Sequence, residues 1–291
     1  MATLDLRPLS LGEILDRTFS LYRNNFLLFL GIAAIPQLLI LALHLGQLLL
    51  TGAVGTTVID RSRAPLADGT AAVFGIASIV GIIVYLVAYL FAQGGAVFAV
   101  SELYLGRTTT IGQSLGRMRG NTGSLLGVTL LNGICILVGL ILLIIPGIWL
   151  ACRLITCVPA ALLENLGARD SLERSYRLTE GNAGRAFVIY LVYFLMAIIA
   201  GALFAYPAEF MMVLSVRTHP ESLRMWAALV QVGNSIAETL VTPILLIATA
   251  VFYYDLRVRK EAFDLQLMMN PNAAPAAGAP PPPGSLPSMF S

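Results

Sequence analysis

Two ionisable side chains, Arg153 and Glu238, interrupt runs that are otherwise apolar. A charge inside a membrane span is costly, so such a residue defaults to a functional role. Arg153 stands six residues after Pro146-Gly147, or about 9 Å along a helix. Glu238 lies in the outer half of the last apolar run, near Asn234, Ser235, Thr239 and Thr242. The two depths match, and the spacing predicts a buried, bidentate Arg153–Glu238 pair. Two roles stay open for it. It lines a polar cavity for a substrate, proton or lipid headgroup, or it ties the fourth and sixth spans together. The second is simpler, because one pair with no third partner makes a thin pathway.

Other chemistry finds little support. The two histidines, His44 and His219, lie far apart. Cys135, Cys152 and Cys157 all sit in apolar runs, an odd count with no metal spacing and no disulfide framework. There is no Walker glycine loop, no H-E-x-x-H and no G-x-S-x-G. Paired carboxylates within one cleft are not evident. The expectation is a protein that is not an enzyme and takes no cofactor or metal.

The elements that must hold these residues follow from composition. Of 291 residues, 57% are hydrophobic and 12% charged. A soluble protein averages about 25% charged. That excludes a soluble enzyme, a disordered chain and a disulfide-rich secreted module, and it points to a polytopic membrane protein. The net charge of +2, on scattered basic residues, argues against nucleic acid as a partner.

Long uncharged runs occupy 26–50, 71–101, 124–163, 186–208 and 225–254, with Arg153 and Glu238 as the only interruptions. A crossing needs about 20 apolar residues. The third run is twice that length. Ile145-Pro146-Gly147 in its middle predicts a hairpin, because proline removes a donor and glycine permits a turn. Six spans result. The second is long, with Gly94-Gly95 as a candidate break.

Positive charge supports this count. Six spans put Arg7, Arg17, Arg23, Arg107, Arg117, Arg119, Arg169, Arg174, Arg177, Arg185, Arg257, Arg259 and Lys260 on one side, 13 residues in all. The other side has 4: Arg61, Arg63, Arg217 and Arg224. Both termini are therefore expected in the cytoplasm. Trp149 and Trp226 are expected in an outer aromatic belt.

Three inner segments look alike. Each is a short amphipathic stretch before a span, with a Leu-x-Arg: Leu15/Arg17, Leu115/Arg117 and Leu172/Arg174. Ser10 with Glu13 and Thr110 with Gln113 form capping boxes. The third segment lacks the box. The pattern predicts a threefold internal repeat of one interfacial helix plus two spans. Arg17, Arg117 and Arg174 are expected to meet lipid phosphate or a protein partner at the inner face. On the last helix, Asp255/Arg259 and Arg257/Glu261 have i,i+4 spacing for ion pairs.

Leu9-Ser-Leu-Gly-Glu-Ile-Leu-Asp-Arg-Thr-Phe-Ser-Leu-Tyr-Arg-Asn-Asn-Phe26 resembles the start of the bacterial membrane-domain family named after glycerophosphoryl diester phosphodiesterase. So do Ile145-Pro-Gly-Ile-Trp-Leu-Ala-Cys-Arg153, Val158-Pro159 and Ser171-Leu-Glu-Arg-Ser-Tyr-Arg-Leu-Thr179. Phe252-Tyr-Tyr-Asp-Leu-Arg-Val-Arg-Lys-Glu-Ala-Phe-Asp264 resembles its end. The resemblance implies an integral membrane domain, fused in some members to a phosphodiesterase domain. That catalytic domain is expected to be absent, because only a short tail follows Asp264.

The expected fold is all-α: a polytopic helical bundle over 1–266. Its spans fall at 26–50, 72–101, 124–145, 147–165, 184–206 and 226–254, and its interfacial helices at 10–24, 110–120 and 168–180. A disordered Pro/Ala-rich cytoplasmic tail is expected over 267–291. The expected role is a non-catalytic, multi-pass protein of the bacterial plasma membrane that organises lipid or a protein partner at the inner leaflet. The alternative is a small-molecule or lipid transporter component built around Arg153 and Glu238.

Overall fold

The computed structural model describes residues 7–58, 70–104, 107–116, 122–219 and 222–261. Among them it holds eleven helices and no strand. They are α1 Leu11–Asn24, α2 Phe26–Val58, α3 Thr70–Tyr104, α4 Ile111–Gly116, α5 Thr122–Leu142 and α6 Ile144–Arg153. Then come α7 Cys157–Glu164, α8 Ala168–Leu178, α9 Ala183–Phe204, α10 Tyr206–Thr218 and α11 Leu223–Glu261. Six segments are long and apolar enough to cross a membrane, in α2, α3, α5, α6 with α7, α9 and α11. The chain is a multi-pass, all-α membrane protein. Arg117 and the segment 267–291 lie outside the described residues.

The end of the bundle that carries α1, α4 and α8 is called the inner end below. Ser10 starts α1: its hydroxyl accepts from Glu13 N, and the Glu13 carboxylate accepts from Ser10 N at 2.6 Å. Thr110 and Gln113 make the same reciprocal bonds before α4. No side chain caps α8, which follows Gly167.

The hairpin falls earlier than Pro146. One extended residue, Leu143, separates α5 from α6. Pro146 sits in the first turn of α6, where its missing N–H would have had no partner anyway. The arms close on glycine: a Cβ on Gly147 would lie 2.6 Å from the Leu140 backbone nitrogen, and one on Gly139 would lie 3.0 Å from Gly147 Cα. The second arm is broken again at residues 154–156, between α6 and α7. In contrast, α3 runs through Gly94-Gly95 without a break.

The span expected over 184–206 is α9, which ends at Phe204, and a further helix follows it. Pro207 cannot continue α9, so the chain turns at Ala205 and starts α10 with proline in its first turn. Helix α10 packs on α11. There α11 touches the end of α9 so closely that a Cβ on Gly233 would lie 2.1 Å from the Phe204 carbonyl.

Burial is uneven. The main apolar core joins Ile14, Phe29, Ile32, Val97, Val100, Leu125, Leu163, Leu178, Ile189 and the Leu246–Val258 part of α11, all toward the inner end. The outer end has only a small cluster of Ala200, Ala237 and Val241. Its hairpin exposes Leu142, Leu143, Ile144 and Ile145.

Candidate functional site

Arg153 ends α6, and its carbonyl has lost its helical donor. Two hydroxyls of α8 replace it: Ser175 Oγ donates at 3.0 Å and Thr179 Oγ1 at 2.9 Å. Thr156 Oγ1 lies 2.9 Å from Ser175 Oγ, and all three hydroxyl residues are buried. The break at 154–156 is thus held open by α8, which supplies bonds that the helix end lacks.

The Arg153 side chain follows the same direction. Its guanidinium lies 3.9 Å from the centre of the Tyr176 ring and 5.6 Å from that of Trp149. The two rings meet edge to face at 5.9 Å. Arg153 is 6% exposed, and no ion pair reaches it among the described residues. Its Nε is sealed from the surface and has no acceptor. Magnitudes set the balance. A desolvated cation–π contact contributes about 2 kcal/mol, whereas removing an ion from water costs several kcal/mol after relaxation. The rings offset only part of that cost.

The expected Arg153–Glu238 pair does not form. Glu238 is exposed on α11 and stands within electrostatic reach of Tyr85 and Tyr193. Helix α6 packs on α5 and α9, and its broken end turns Arg153 toward α8. The count from Pro146 to Arg153 stays within α6; what it could not give is the direction of the side chain, which the packing on α8 sets. Trp149, on the same helix, meets the Tyr176 ring of α8 edge to face.

The inner arginines have separate fates. Arg17 lies over the Tyr104 ring at 4.5 Å. Tyr104 stacks on Tyr254 at 4.8 Å, and the Tyr254 hydroxyl donates to Ser101 Oγ at 2.9 Å. Arg174 is engaged within the protein. Its Nε and Nη2 donate to both Glu164 oxygens at 2.8 and 2.9 Å, and its Nη1 pairs with Glu261. Burial alone would depress the Arg174 pKa; Glu261 and Glu164 outweigh it and hold the guanidinium above its ordinary value. Tyr253 Oη donates to Glu164 at 2.6 Å, and Arg257 Nε donates to Glu261 at 3.1 Å.

A second cluster surrounds Asp255, whose side chain is 0% exposed. It accepts from Leu9 N at 2.7 Å, Arg185 Nη1 at 2.7 Å and Arg259 Nε at 2.9 Å. The Leu9 carbonyl accepts in turn from Arg185 and Arg259. One buried carboxylate therefore ties the N-terminal segment, α9 and α11. The i,i+4 pairs Asp255/Arg259 and Arg257/Glu261 were readable from spacing, and both are formed. The hubs were not: Leu9 and Arg185 lie 246 and 70 residues from Asp255. No group of three or more His, Cys, Asp or Glu able to hold a metal exists among the described residues.

A family model described as the membrane domain of glycerophosphoryl diester phosphodiesterase matches residues 125–273. The match takes in Arg153, Glu164, Arg174, Arg185, Glu238 and Asp255, and it is to the membrane domain alone. No curated protein and no solved structure matches the chain.

Proposed function

Because the chain belongs to the family of glycerophosphoryl diester phosphodiesterase membrane domains, we propose that it works as a non-catalytic, multi-pass protein of the bacterial plasma membrane. Both termini are cytoplasmic, and the inner face organises lipid. The basic-residue bias of 13 to 4 across the six spans supports the orientation. One observation carries the lipid role. The helices at the inner end leave aromatic surface uncovered beside cations: Phe19 one turn before Arg23 on α1, and Tyr176 under Arg153 on α8. Aromatic and basic side chains together suit the headgroup layer of an anionic leaflet. Arg174 is not part of that surface, because its fork is filled by Glu164 and Glu261.

The transport reading needed Arg153 and Glu238 at one polar site, and it loses that support with the two residues apart. A cytoplasmic protein partner would use the same inner face, and the test separates the two occupants. The full chain is reconstituted in mixed bilayers, and enrichment of a labelled anionic lipid around it is read by energy transfer from tryptophan. Arg17→Glu combined with Arg117→Glu should lower that enrichment several-fold. Unchanged enrichment, or equal enrichment of a zwitterionic lipid by the unaltered chain, defeats the lipid role and leaves the face to a protein.

A further inference from the structure

Arg153 carries a full charge at a place where the protein supplies no counter-charge. It is more than nine-tenths buried, and its Nε is sealed without an acceptor. Arg17 at the inner end also lies over a ring, but the buried arginine clusters there are built around carboxylates: Arg174 and Arg257 around Glu164 and Glu261, Arg185 and Arg259 around Asp255. Arg153 has only two aromatic faces. Both rings are open to the surroundings, Trp149 at 48% and Tyr176 at 41%. The two outer guanidinium nitrogens also lack an acceptor among the described residues but, unlike Nε, are not sealed from the surface. On the same helix, Ile145 and Ile148 are exposed.

We propose that Arg153, flanked by Trp149 and Tyr176, is a binding site for a phosphate oxyanion, supplied by the headgroup of an anionic phospholipid. A guanidinium presents two parallel N–H groups, and a phosphodiester presents two oxygens at matching separation. The rings hold the fork by its face and leave its edge free. Acyl chains would run along the exposed apolar side of α6. No carboxylate pairs with Arg153 among the described residues, so its charge stays unneutralised and favours the net-anionic phosphatidylglycerol over zwitterionic phosphatidylethanolamine. The proposal rests on the lipid role given above and specifies one site within it.

Native mass spectrometry of the full chain in detergent, with phosphatidylglycerol, phosphatidylethanolamine or inorganic phosphate added, tests the site. The unaltered chain should retain phosphatidylglycerol in preference to phosphatidylethanolamine. Arg153→Gln should cut that retention by about tenfold, as expected when a charge-assisted fork is lost. Arg153→Lys, which keeps the charge without the fork, should fall between. Equal retention of the two lipids, or full retention by Arg153→Gln, overturns the proposal. Displacement of phosphatidylglycerol by inorganic phosphate at similar concentration keeps the oxyanion site and overturns the lipid as its source.

Should Arg153→Gln not yield monodisperse protein, Trp149 serves as the reporter in a Trp226→Phe background. Dilute brominated phosphatidylglycerol should quench it more than brominated phosphatidylethanolamine does; equal quenching overturns the proposal. Failure here with enrichment still lost in the Arg17→Glu, Arg117→Glu chain removes this site and leaves the broader lipid role standing.

Discussion

At its inner end α11 buries Asp255 against Arg185, Arg259 and the Leu9 backbone; near its outer end the same helix exposes Met225, Leu229, Ile236 and Glu238. The inner end is held by charge. Its clusters join the segment before α1 to α7, α8, α9 and α11, and the large apolar core lies beneath them. The outer end is held by close approach, at Gly139 against Gly147 and at Gly233 against Phe204. Lipid explains the difference. Apolar side chains gain nothing by leaving lipid tails for one another, so spans associate through tight backbone contacts and polar bonds. Toward the headgroups, water and charge return, and ion pairs can organise the chain.

The largest loss should come from Asp255→Ala, which strands two arginines that share one buried carboxylate. Breaking such a pair costs about 3–5 kcal/mol. The altered chain should aggregate at a clearly lower temperature in detergent, followed by size exclusion after heating. Glu238→Gln, at the exposed outer position, should stay within about 0.5 kcal/mol of the unaltered chain. If the two changes cost the same, the contrast between the ends is wrong.

Next in size is Gly233→Leu, which forces a side chain into the Phe204 carbonyl. Overpacking of this kind costs about 1–3 kcal/mol. The same thermal assay should show it, and a crosslink between cysteines placed on α9 and α11 should weaken. No change would mean that the outer helices are free to part.

Arg174→Gln removes the bidentate partner of Glu164 and leaves Glu164 and Glu261 to share Arg257. Both are partly exposed, so solvent screens them, and the loss should be about 1–2 kcal/mol. Hydrogen exchange should rise in α8 and not in α5. Equal exchange in both helices would show that the cluster does not anchor α8.

The smallest effect concerns α1. The Ser10 N–H, and then its hydroxyl, hold the Glu13 carboxyl below its ordinary value against a weak opposing desolvation, and Arg7 adds to the lowering. A depressed carboxyl stabilises the fold above its unfolded pKa, and this contribution is lost as pH falls through the folded value. Amides in the first turn of α1 should therefore lose protection below the usual carboxylate range and keep it at neutral pH. In Ser10→Ala the protection should be weaker at neutral pH and its acid dependence flatter.

How much was readable depends on the range of the cause. The hairpin was readable because a run of twice the needed length must turn, although Pro146 marked the first turn of α6 and not the bend. Helix α10 went unread, because the apolar run ends at 208 before Glu209 and the rest of Tyr206–Thr218 is too short and mixed to register as a span. The fate of Arg174 was invisible, because Glu164 and Glu261 reach it from two other helices.

By itself the sequence determined the number of crossings, the caps of α1 and α4, and the ion pairs within one turn of α11. Hydropathy, capping and i,i+4 spacing act within a few residues, and composition carries them. The tertiary structure alone decided that Arg153 faces Tyr176 and not Glu238, and that Asp255 gathers Leu9 and Arg185. Those partners depend on where a helix breaks and how it rotates against its neighbours, and packing sets both.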